Sequence, residues 1–165
     1  MRGIELNAEQ FTALCESKGA CRDGLEWIRG KSFEEFWNTA ERADWMLWIA
    51  GKMVRVDGWW TRQQIVLTAC ACAETVLDIF EKKYPNDKRP RVAIETARRW
   101  CSGVASIEEV RDASASAYAA AADAAAYAAA YAAYAAADAW RSARNSKMKE
   151  LCAIVRQNLP LREDT

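Results

Sequence analysis

The chain has 165 residues, with 23 Lys plus Arg against 23 Asp plus Glu, a formal net charge of zero, and 52 % hydrophobic residues. That length and apolar content provide for one domain with a real core and exclude intrinsic disorder. The charge balance excludes a general nucleic-acid binder, which needs a basic face to displace counterions from phosphates, and a polybasic membrane anchor.

Helix signals run along the whole chain and the alternation of strands is missing. Asn7 caps a first helix over about 8–17, closed by Gly19, with Phe11, Leu14 and Cys15 facing inward. A turn or two with Leu25, Trp27 and Ile28 stops at Gly30. Ser32 and Glu35 form a capping box that opens a helix holding Phe33, Phe36 and Trp37. The next helix, over about 41–53, turns Trp45, Met46, Trp48 and Ile49 inward. After Asp57-Gly58 a long helix over about 60–83 is apolar round most of its circumference, which predicts a place at the centre of a bundle. Tyr84-Pro85 ends it, because the residue before proline avoids the α region. Pro90 suits the first turn of a helix over 90–101 that stops at Gly103. Ser106 and Glu109 form a second capping box, and no Gly or Pro follows until Pro160. Alanine, the best helix former, dominates 113–143, so a rod is expected there, with Asn145-Ser146 as the candidate break before a last helix over 147–158.

The expected fold class is therefore all-α: a single-domain bundle of about seven helices with a long alanine-rich C-terminal helix. Within one domain over 1–165 the chain reads as short tryptophan-rich helices (1–58), a central helix pair (59–103), and the alanine-rich and C-terminal helices (106–159). No apolar run approaches the roughly 18–20 residues a membrane span needs, since 65–80 is interrupted by Glu74 and Asp78. The start, Met1-Arg2-Gly3-Ile4-Glu5, has no apolar leader run, so a cytoplasmic protein without membrane contact is expected. The six cysteines then read as reduced and structural. With no His and no Cys-x-x-Cys pair, neither a metal site nor another cofactor is expected.

On the alanine helix Asp123, Tyr127, Tyr131, Tyr134 and Asp138 are spaced four, four, three and four, and so share one narrow stripe that Arg141 extends. If the opposite side, with Ile107, Val110, Tyr118 and Trp140, seats on the bundle, these phenols and carboxylates form a partner-binding ladder. The bland reading, a stripe packed on the bundle with alanines in water, has slightly more weight. Trp59 and Trp60, at a loop–helix junction, together with Arg89 and Arg91 of the basic corner, are the candidate ligand-binding set. Core packing of the tryptophans and a solvated, acid-balanced corner are the favoured alternatives. Without histidine the usual nucleophile–base sets fail, and the chain reads as no enzyme.

The run Tyr84-Pro85-Asn86-Asp87-Lys88-Arg89-Pro90-Arg91-Val92-Ala93-Ile94-Glu95, then Trp100, an Ile-Glu-Glu-Val-Arg start and the Ala/Tyr/Asp tract, resembles the alanine-rich immunity proteins of bacteria and their phages. The ending, Met148 to Pro160, is similar to the tail of that group, so the likeness spans 60–160. It implies a helical inhibitor that neutralises a toxin by direct protein contact. The alternative is a phage-encoded inhibitor of a bacterial defence system, anti-CRISPR-like or nucleotide-sequestering. A homodimer through the overhanging rod is a further expectation.

Overall fold

The structure, a computed structural model, describes residues 5–54, 56, 58–132 and 137–161, with the side chains of 121–132 and 137–144 outside the described set. Among the described residues there are eight helices and no strand: α1 (Ala8–Ser17), α2 (Arg22–Ile28), α3 (Phe33–Thr39), α4 (Ala43–Lys52), α5 (Arg62–Lys83), α6 (Arg89–Cys101), α7 (Ile107–Ala132) and α8 (Ala137–Asn158). The all-α expectation holds, and the helix starts follow the local chemistry. Ser32 Oγ accepts from Glu35 N at 3.2 Å while Glu35 Oε2 accepts from Ser32 N at 2.7 Å. The Ser106–Glu109 box is built alike, at 3.1 and 2.7 Å, and Asn7 with Gln10 forms a third. Each satisfies amide donors that a helix start would leave orphaned. Behind α1, Gly19 turns the chain at φ 77°, a conformation costly for any residue with a Cβ.

By its contacts the chain forms two compact units. A terminal unit comprises Met1–Ile65 with Lys147–Thr165, and a central unit comprises Val66–Ser146.

The terminal unit is built on aromatic burial. Phe11, Phe33, Trp37 and Trp60 are at most 1 % exposed, and Trp37 stacks on Trp60 with ring centroids 4.4 Å apart. Phe33 lies among them, 5.3 Å from Phe11 and 5.1 Å from Trp59. The end of α8 supplies Cys152 and Val155 to this core, and Leu159 just beyond the helix joins them, spaced three and four. Two polar ties join the late chain to the early chain. Trp60 Nε1 donates to Pro160 O at 3.1 Å. Arg156 donates from Nε to Trp37 O at 2.7 Å and from Nη2 to Ala40 O. A cation on the last carbonyls of α3 satisfies orphaned acceptors and complements the helix dipole.

In the central unit, α6 packs along α7 and is joined to α5 across a hairpin. The expectation that α5 is buried all round fails. Thr68 and Cys72 are buried on one side, Cys70 and Leu77 on the other, and Leu67, Val76 and Ile79 are left 37, 40 and 66 % exposed. The α6-facing stripe is Cys70, Glu74, Leu77 and Glu81, spaced four, three and four, and half of it is charged. Counting apolar residues round the circumference missed this, because pairing partners and not hydropathy set which side faces α6. By length and composition α5 could cross a membrane, contrary to the run-length estimate, although it carries Glu74, Asp78 and Glu81.

Two further expectations are corrected. The helix does not break at Asn145-Ser146; α8 runs through both. Neither residue costs more than about 0.7 kcal/mol in a helix, and their Arg, Lys and Met neighbours favour one. On α7 the inward side is Val110, Ala113, Ala117 and Ala120, the last 1 % exposed, whereas Tyr118 and Ile107 are 79 and 37 % exposed. Alanine brings the α7 backbone close to its neighbour, and the bulkier Tyr118 and Ile107 stay outside.

Candidate functional site: the α5–α6 corner

The turn between α5 and α6 is organised by charge. Glutamates seven apart on α5 meet arginines seven apart on α6 in antiparallel order. Arg98 donates from Nε and Nη2 to Glu74 at 2.9 and 2.7 Å, and Arg91 does the same to Glu81 at 2.7 and 2.6 Å. Such two-pronged pairs fix orientation as well as distance. Lys88 adds a second cation to Glu81 at 3.5 Å, and the Glu81 side chain is only 15 % exposed. The hydrogen bonds from Arg91, helped by the charges of Arg91 and Lys88, hold the Glu81 carboxyl down at about 2. In the turn itself Asp87 accepts from the Arg89 backbone N–H at 3.1 Å and from its guanidinium at 2.7 to 3.2 Å. That contact lowers the Asp87 carboxyl below its usual range. Along this turn lies an open pocket of about 820 Å³, lined among others by Tyr84, Asn86, Arg89, Val92 and Ser116.

The ligand set read from the sequence divides between the two units. Trp60 is a core residue, 1 % exposed, as the favoured core-packing reading had it, which corrects its place in the ligand-binding set; Trp59 is half-buried against Phe33. Both belong to the terminal unit, and Arg89 and Arg91 to the central one. Arg89 and Arg91 are engaged by Asp87 and Glu81, so the corner is balanced and carries no bare phosphate grip. Of the partner-binding ladder, Tyr134 lies outside the described residues, as do the side chains of Asp123, Tyr127, Tyr131, Asp138 and Arg141.

The Glu74–Arg98 and Glu81–Arg91 pairs escaped the sequence reading, which saw only interspersed charge. Their signal was present: two glutamates two turns apart before Tyr84-Pro85, and two arginines two turns apart after it, in mirrored order about the turn. None of the six cysteines is in a disulfide; burial pushes the Cys15 thiol up to about 11 and raises Cys70 and Cys72 as well. Among the described residues no group of three or more Cys, Asp or Glu is placed to hold a metal ion.

A family model described as Imm-5 like putative immunity protein matches residues 60–147, just over half of the chain. The matched stretch nearly coincides with the central unit, and the tail whose likeness was read from the sequence lies beyond it. No curated protein and no solved structure matches the chain.

Proposed function

The chain belongs to the Imm-5 like putative immunity protein family, and from that membership we propose that it neutralises a protein toxin in the cytoplasm by direct, non-catalytic contact through its central unit. The observation that carries this reading is the exposure of large apolar side chains on that unit. Ile79, Val92 and Tyr118 are 66, 49 and 79 % exposed. Of the exposed large hydrophobic residues among those described, only Val56 lies outside the family-matched stretch. Apolar groups left in water are covered when a partner docks, and tyrosine is among the residues enriched in binding hot spots. The Arg–Glu pairs support the reading from another side. They hold α5 and α6 in fixed relation before any partner arrives, which lowers the ordering cost of association. A neutral chain suits recognition by shape rather than by acidic mimicry.

The test is co-expression with each candidate toxin from the neighbourhood of this chain's gene. Growth should be restored, and the purified proteins should form a one-to-one complex. Ile79→Asp and Tyr118→Ala should each weaken that complex about tenfold or more with helix content unchanged; Tyr131→Ala reads out the phenol stripe in the same assay. A toxin that stays active with stoichiometric chain present, or protection without a complex, would overturn the reading.

A further inference from the structure

The terminal unit, most of which lies outside the matched family stretch, contains a second and chemically different cavity. It encloses about 360 Å³ among α1, α2, α3 and α4. Its walls are Phe36, Trp45, Trp48 and Ile49 with small residues between them, and Asp44 is the one charged side chain on its lining. An apolar cavity of roughly 150 Å³ is enough to take benzene, and pockets that hold small molecules run from roughly 300 Å³ upward. This one therefore has room for a two-ring molecule.

Two features give the cavity its shape and its polarity. Gly24 of α2 leaves one wall bare: a Cβ built there would meet only Cys21 Sγ, at 3.4 Å. Opposite in character, Asp44 sits in the first turn of α4, where Arg42 donates to its two oxygens at 2.8 and 2.6 Å. The Arg42 guanidinium is itself parked over the Trp45 ring, 4.6 Å from its centroid. Arg42 is not on the cavity lining, so a guest meets the Asp44 carboxylate as the lining half of its pair with Arg42. The Arg42 hydrogen bonds hold the Asp44 carboxyl below its ordinary range. A carboxylate has about four acceptor positions, more than one guanidinium occupies.

We propose that this cavity is a binding site for a compact aromatic amine, with the rings against Trp45, Trp48 and Phe36 and the amine donating to Asp44. Flat aromatic walls favour a flat guest, and the single acidic group selects a cation or donor over an anion. The site is independent of the toxin-neutralising reading, because it lies in the other unit and uses none of the same residues.

Calorimetric titration of the full chain with naphthylmethylamine and with its anionic counterpart naphthylacetate tests the assignment. The amine should bind saturably at one site, about threefold or more tighter than the acetate, the factor that an exposed ion pair supports. Asp44→Asn should bring the two probes close to parity. Gly24→Leu fills the bare wall while giving α2 a better helix former, and should weaken both probes about tenfold or more without loss of helix. Cys21, exposed and on the cavity lining, gives a readout that needs no variant: the amine should slow its alkylation, followed by peptide mapping. No saturable heat with the amine, equal binding by Gly24→Leu, or unchanged alkylation of Cys21 at saturating amine would each overturn the proposal.

Discussion

The terminal unit buries Trp37, Trp60, Phe11 and Phe33 almost completely, whereas the largest fully buried side chain described in the central unit is Thr68. The remaining buried positions described there are small or medium: Cys70, Cys72, Leu77, Thr96, Ala105 and Ala120. Burying a large apolar side chain is worth about 1.5–3 kcal/mol and a methyl group about 0.8 kcal/mol. The terminal unit therefore draws on a few large rings, and the central unit on close helix approach, alanine methyls and mirrored ion pairs. The second strategy leaves large apolar groups over for the surface, and it is in the matched family stretch that Ile79, Val92 and Tyr118 stand in solvent. A core of rings and a surface of uncovered aliphatic groups thus belong to different parts of one chain.

Four measurements break or sharpen that contrast. The largest effect is expected at Trp37: Trp37→Ala should cost about 3–5 kcal/mol in urea unfolding, because the Trp60 ring loses its stacking partner and a cavity remains. Leu77→Ala, the heaviest truncation available at a buried position described in the central unit, should cost less, about 2–3 kcal/mol. Equal losses at the two positions would dissolve the distinction. Next comes Arg156→Met, which keeps the aliphatic stem but abandons Trp37 O and Ala40 O; about 1–3 kcal/mol should be lost in the same experiment. An unchanged midpoint would mean that water replaces the guanidinium at no cost.

Caps are local and should not distinguish the units. Ser32→Ala and Ser106→Ala should each cost about 1 kcal/mol by thermal unfolding, one in either unit. A large difference between them would show that one cap is coupled to its surroundings. The smallest effect concerns acid. The Glu81 carboxyl lies at about 2 when folded against 4.5 for a free glutamate. Its contribution is therefore fully present above pH 4.5 and is lost as pH falls from there through about 2. Glu81→Gln should flatten the acid dependence of the central unit in that window, and carboxyl NMR titration of the wild-type chain should find the Glu81 midpoint near the lower figure. A midpoint close to the free value would sink the Arg91 clamp.

What could be read from the chain alone was whatever depends on near neighbours in sequence. The Ser-x-x-Glu boxes, the stop at Tyr84-Pro85, the turn at Gly19 and the all-helical class follow from interactions within a few residues, and they appear as expected. Orientation was another matter. Which side of α5 meets α6 was decided by Arg91 and Arg98 reaching Glu81 and Glu74, and which side of α7 turns inward by how closely alanine lets two backbones approach. The stack of Trp37 on Trp60 and the reach of Arg156 to the carbonyls of α3 likewise join residues distant in the chain. Periodicity places residues on a common stripe, but burial is a property of what lies across from the stripe. Only the tertiary structure supplies that second surface.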